Sequence, residues 1–161
     1  MMDKLKILIA EDDKTTQRLY DSFLADDIFE KSIAGSGEEA LELYSSWQPD
    51  VILLDIMLPS LSGYALLKKI REEKQDKLTS IIISSSLSSK EDVIGCAKLG
   101  IQGYLAKPVQ WKEIGFKVLE FYGKGSPEKV NRTTELKKRL EEWVEARRLE
   151  ALAEKPPDQK S

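Results

Sequence analysis

The chain has 161 residues, 41% hydrophobic and 33% charged, a balance that predicts one well-cored globular domain with a short appendage. It has no histidine and one cysteine, Cys96, which excludes internal disulfides, multi-cysteine cages, histidine-based zinc sites and Ser-His-Asp or Cys-His catalysis. The net charge of −3 divides into −5 over residues 1–123 (15 basic, 20 acidic) and +2 over residues 124–161 (10 basic, 8 acidic), and neither part has the basic face of a nucleic-acid binder. The apolar runs are strand-sized, short of the ~20 residues of a membrane helix. Met1-Met2-Asp3-Lys4 leads straight into the first run without a signal-peptide layout, so a cytoplasmic protein is expected.

Short apolar runs then alternate with amphipathic stretches. Strands are expected at Leu5–Ala10, at a weaker run Ile28–Ala34, and at Val51–Leu54, Ile81–Ser85 and Gly103–Ala106. Continuous runs such as Ile7-Leu8-Ile9 and Val51-Ile52-Leu53-Leu54 suit strands buried on both faces, as in a parallel sheet. Helices are expected at Lys14–Ala25, Glu38–Trp47, Tyr64–Glu73, Lys90–Leu99 and Trp111–Tyr122, with apolar residues three and four apart. Five strand–helix units in succession predict a doubly wound α/β fold. Ser36 with Glu39 reads as a capping box, Gly100 as a C-terminal stop, and Cys96 as a core-facing filler. Residues 1–123 form this domain. Gly123-Lys124-Gly125-Ser126 reads as a hinge within a linker over 124–132. A last amphipathic helix is expected over 133–155, with a stripe of Leu136, Leu140, Trp143 and Val144, and a flexible tail over 156–161.

In an open parallel sheet the site lies outside the carboxyl ends of the strands. There the first strand delivers Glu11-Asp12-Asp13, the third Asp55, the fourth Ser84-Ser85-Ser86 and the fifth Lys107-Pro108. Clustered carboxylates need a cation, and hard oxygen ligands suit Mg²⁺. An aspartate can act as nucleophile in phosphoryl transfer, and a lysine can neutralise the transferring oxygens. Asp13 reads as a cap of the first helix.

Ile7-Leu8-Ile9-Ala10-Glu11-Asp12-Asp13, Leu53-Leu54-Asp55-Ile56-Met57-Leu58-Pro59 with Gly63, the hydroxyl after Ile83, and Gly103-Tyr104-Leu105-Ala106-Lys107-Pro108 together resemble the signatures of response-regulator receiver domains in two-component signalling. The resemblance covers about residues 4–123. It implies a flavodoxin-like five-stranded sheet in the order 2-1-3-4-5, and a phosphorylation switch rather than an enzyme acting on a separate substrate. It implies Asp55 as phosphoacceptor, and Mg²⁺ held by Glu11, Asp12, Asp55 and the backbone carbonyl of Met57. Lys107 becomes the partner of acceptor and phosphoryl group. Ser85 becomes the switch hydroxyl, with Ser84 or Ser86 in its place if the register slips by one, and Tyr104 the aromatic that follows it inward. A proline after that lysine is cis in the family. The implied partner is a sensor histidine kinase or phosphotransfer protein. Output is expected through the face of the fourth helix, fifth strand and fifth helix, or through dimerisation or partner docking on the C-terminal helix, with packing of that helix onto the domain, or a lead into a further domain, as the alternatives. Met57 and Leu87 occupy positions that govern water attack on the aspartyl-phosphate, and both are apolar, so slow self-dephosphorylation is expected.

Other readings compete. A degenerate receiver would serve as a phosphorylation-independent binding module. A flavin carrier would need phosphate-binding donors after the first strand, where Glu-Asp-Asp repels phosphate. A haloacid-dehalogenase-type phosphatase would need a second aspartate at the position of Met57. Gly35-Ser36-Gly37-Glu38-Glu39-Ala40 formally fits a dinucleotide-binding pattern, but it follows the second strand and places two glutamates against the pyrophosphate.

Overall fold

The computed structural model describes residues 3–86, 89–154 and 156. Five parallel strands, β1 (Leu5–Ala10), β2 (Phe29–Ala34), β3 (Val51–Leu54), β4 (Ser80–Ser85) and β5 (Gly103–Ala106), form one sheet in the order β2-β1-β3-β4-β5. The connecting helices are α1 (Lys14–Phe23), α2 (Gly37–Trp47), α3 (Gly63–Lys68), α4 (Lys90–Leu99) and α5 (Ile114–Tyr122), and α6 (Pro127–Glu154) follows. This is the expected doubly wound fold. Its order reverses between β1 and β3, which puts the crevice at the ends of those two strands.

Strand alternation divides the core in two. Ile7, Ile9, Leu53 and Ile82 face α1 and α5, meeting Tyr20, Leu24, Val118 and Leu119. Leu8, Ala10, Ile52, Leu54, Ile81 and Ile83 face the other way, onto Ala40, Leu66, Leu67, Ile70 and Cys96. β2 is weak in the sequence because it is an edge strand. Its middle carries Glu30, Lys31 and Ser32, and Lys31 pairs with Asp21 and Asp26 at 3.1 and 2.8 Å. A charged edge resists pairing with other chains.

Local chemistry sets the helix ends. Asp13 caps α1, accepting from Thr16 N–H at 2.8 Å. Ser36 caps α2 while Glu39 reaches back to Gly35 N–H. Gly100 ends α4 at φ +96°. The stretch expected as one helix to Glu73 widens after Lys68 into a π turn over Lys69–Glu73. That widening accompanies the burial of Arg71, which donates to the carbonyls of Gly100, Asp76 and Thr79 and to Gln102 Oε1.

The C-terminal region differs most from expectation. The helix starts at Pro127 rather than Thr133, so residues 127–132 are helical and not linker. Ser126 supplies the cap, its hydroxyl accepting from Lys129 N–H, and Pro127 suits the first helical position, where no N–H is needed. Lys155 and most of the expected tail lie outside the described residues. The stripe docks on the chain's own α/β domain. Leu136 and Leu140 are 1% and 3% exposed within the α1–α5 core, with Trp143 packed beside them, whereas Val144 is exposed. Each buried leucine contributes about 1.5–3 kcal/mol. Arg132 bridges Asp3 and Asp50 and bonds Tyr122 Oη and the Lys4 carbonyl, while Arg139 donates to the carbonyls of Asp3 and Asp27. α6 is thereby fastened at the edge where the strands begin.

Candidate functional site

At the opposite edge the backbone fixes the site before any side chain acts. Glu11 N–H continues the sheet by donating to Ala34 O at 3.0 Å, and Asp55 N–H donates to Ala10 O at 3.0 Å. The two acidic positions are thus held side by side at the topological switch. Lys107 N–H donates to Ser85 O at 3.0 Å, after which the Lys107–Pro108 peptide is cis.

The side chains converge from three strand ends. Lys107 Nζ donates to Asp55 Oδ2 at 2.7 Å and to Glu11 Oε1. Asp55 Oδ1 accepts Met57 N–H at 2.9 Å, and Glu11 Oε2 accepts Asp13 N–H at 3.2 Å. Glu11 and Asp55 are buried, and Asp12 is exposed at the rim. Ligand atoms of Glu11, Asp12 and Asp55 all lie within 4.8 Å of one another. Burial raises the Glu11 carboxyl above its ordinary range, against the pull of Lys107 and the Asp13 amide. Burial draws the Lys107 ammonium down, but Asp55 and Glu11 more than offset it and hold it above the usual lysine range. One ammonium faces three carboxylates, leaving a surplus of negative charge on hard oxygen atoms. That donor set fits a small divalent cation such as Mg²⁺.

Asp13 is turned away from this group, its carboxylate bonded to Thr16 N–H and Oγ1 and held below the usual range by them. Of the three serines, Ser84 bonds Tyr20 Oη at 2.6 Å on the α1–α5 side. Ser85 is fully buried, and alternation directs it to the face of Ile83 and Tyr104, which are register partners. Ser86 is exposed. Tyr104 is half-buried against the second core cluster. The Met57 side chain stands in solvent, 59% exposed, and Leu87 lies outside the described residues.

Sequence reasoning passed over Gln17 and Gly37, and gave Gly63 only as part of a signature. Gln17 Nε2 donates to the Glu11 carbonyl at 2.5 Å. Its signal was a polar residue in the inward stripe of α1, three before Tyr20. Gly37 and Gly63 clamp the loop after β3. A Cβ at Gly63 would fall 2.0 Å from the Asp55 carbonyl oxygen, and one at Gly37 1.7 Å from that of Leu61. Gly37 N–H also donates to Pro59 O at 3.1 Å, so the start of α2 braces the loop that carries Asp55.

A profile of the response regulator receiver domain family matches residues 7–118. Among curated proteins, a probable transcriptional regulator ycf27 of Porphyridium aerugineum is 33% identical over 113 residues, 70% of this chain and 46% of that protein. The transcriptional regulatory protein DltR of Streptococcus agalactiae is 33% identical over 110 residues, 68% of this chain and 48% of its own length. The chain therefore spans about half the length of the curated relatives it matches. Among solved structures, the Francisella response regulator 1452 receiver domain superposes with TM-score 0.67 at 35% identity, covering 76% of this chain and 100% of that one. The CheX-CheY-BeF3-Mg+2 complex of Borrelia burgdorferi matches with TM-score 0.66 at 25% identity over 72% of this chain and 87% of that one.

Proposed function

This chain belongs to the response regulator receiver family, and we propose that it accepts a phosphoryl group on Asp55 from a sensor histidine kinase or phosphotransfer protein. The observation that carries this reading is Lys107 bonded at once to Asp55 and Glu11, beside Asp12. An Asp55 carboxylate oxygen attacks phosphorus, the P–N bond of the phosphohistidine breaks, and its electron pair returns to the imidazole. Lys107 stays protonated and neutralises the phosphoryl oxygens as they arrive. Met57 N–H keeps the Asp55 carboxylate oriented. Mg²⁺, held by Glu11, Asp12, Asp55 and the Met57 carbonyl, would supply the remaining positive charge.

Ser85 then donates its hydroxyl to the new phosphoryl group, and Tyr104 follows it inward. The face formed by α4, β5 and α5 changes for a partner or a second copy. Dimerisation on the Leu136–Leu140 stripe is disfavoured, because that stripe is already buried on the receiver. No helix among the described residues is long and apolar enough to cross a membrane. At Met57 an exposed thioether offers no hydrogen bond to an attacking water, so the aspartyl-phosphate is expected to outlast seconds; a lifetime of seconds would refute this.

The test is incubation with Mg²⁺ and acetyl phosphate followed by intact mass, repeated with Asp55→Asn and with EDTA. One added phosphoryl group, lost in both controls, is expected. No adduct under any condition would instead favour a receiver that works by binding alone.

A further inference from the structure

Tyr20 and Ser84 make a buried polar contact that the chemistry above does not use. Tyr20 is 1% exposed and Ser84 2%, and their hydroxyls lie 2.6 Å apart. Burial raises the Tyr20 hydroxyl above the ordinary tyrosine range, so it remains protonated. Its ring is held edge-on by Trp111, with centroids 4.9 Å apart. One turn earlier, Gln17 holds the Glu11 carbonyl. α1 thus grips two of the strand ends that build the site, β1 through Gln17 and β4 through Tyr20.

Ser84 and Ser85 are consecutive on β4, so their side chains leave opposite faces of the sheet. A bond that fixes Ser84 therefore constrains the backbone from which the Ser85 side chain leaves. The Ser85 carbonyl is in turn tied to Lys107 N–H at 3.0 Å.

We propose that the Tyr20–Ser84 hydrogen bond is a latch that positions the Ser85 hydroxyl and so sets how tightly the site holds a phosphoryl group. The inference rests on the roles of Asp55 and Ser85 given above. Tyr20 touches none of the reacting atoms and acts as a positioning residue. Its influence therefore passes through Ser85 and disappears when Ser85 lacks its hydroxyl.

The test uses beryllofluoride with Mg²⁺ as a stable mimic of the phosphoryl group, titrated calorimetrically into the full chain. Tyr20→Phe should weaken binding about three- to tenfold, the size of one hydrogen bond. In a Ser85→Ala background the same substitution should shift affinity by less than about twofold, because coupled sites are non-additive. Ser84→Ala deletes the bond from the strand side, keeps the Tyr20 ring and should reproduce the pattern, which covers the case of a Tyr20 variant that does not fold. Equal weakening in both backgrounds, or none in either, overturns the latch. An unmodified chain that does not bind beryllofluoride, or binding that survives Asp55→Asn, overturns the reading of the site itself.

Discussion

At one edge of the sheet Lys107 stands between Glu11 and Asp55; at the other Arg132 stands between Asp3 and Asp50. Both cations are about three-quarters buried, with side chains 23% and 26% exposed. Burial draws both down, and their carboxylates more than restore them. The difference lies in what remains unbalanced. Arg132 also bonds Tyr122 Oη and the Lys4 carbonyl, so its planar fork is spent on fixed partners. Lys107 is a compact charge facing a third carboxylate, Asp12, and the cluster keeps a net negative charge. A cation between two carboxylates is a structural tie where its donors are used up. Where charge is left over, the cluster can take up a further cation, as the proposed function requires.

The comparison can be broken by substitution. The largest effects belong to the Lys107 edge. Asp55→Asn should abolish phosphoryl uptake in intact mass, and Lys107→Ala should slow it by about 10²- to 10³-fold in a time course. A comparable loss in Arg132→Ala would erase the distinction. Next in size, Leu140→Ala removes a nearly fully buried side chain where α6 meets α5. Urea denaturation should show a loss of about 2–4 kcal/mol, with phosphoryl uptake intact under native conditions. Arg132→Ala should cost about 1–2 kcal/mol, because the pair is partly exposed and screened. Its rate of uptake should stay within about twofold of the unmodified chain, a small change for a site at the far edge.

The smallest effect concerns acid, again at the edge where the strands begin. Burial would raise the Asp76 carboxyl, but bonds from Thr79, Tyr44 and Leu78 outweigh it and hold it at about 2, below its ordinary 3.8. The folded state thus favours the ionised form. The stability this gives is present above pH 3.8 and lost as pH falls toward about 2. Asp76→Ala should flatten that part of the curve of denaturation midpoint against pH. An unchanged slope would show that other carboxyls set it.

Strand ends were legible because a buried parallel strand is a continuous apolar run, and the polar residue that stops it stands out. Asp55 stands out in that way, whereas Lys107 ends the partly buried edge strand β5 and stands out through the proline that follows it. The edge strand β2 was weaker for the same reason, since one side faces solvent. The destination of α6 was not legible. A stripe of Leu136, Leu140 and Trp143 says that a face is buried, but against what depends on contacts with Phe29 and α5 that no local pattern encodes. Its start at Pro127 was hidden because Ser and Pro serve equally as loop residues and as the cap and first turn of a helix. Which face of the sheet Ser84 and Ser85 each take was not legible either, and comes from the Tyr20 contact to Ser84.

α6 is docked from about Lys129 to Trp143, and beyond this its described residues lie almost wholly in solvent. At 1.5 Å per residue the free portion to Glu154 projects roughly 16 Å past its last packed side chain. It is a lever arm whose fulcrum is α5, which follows the strand before Lys107 after a 3-10 turn at Trp111–Glu113. A tilt of about 10° at the fulcrum carries the tip through about 3 Å, enough to turn a repacking too small to change the domain's outline into a displacement that a neighbour feels.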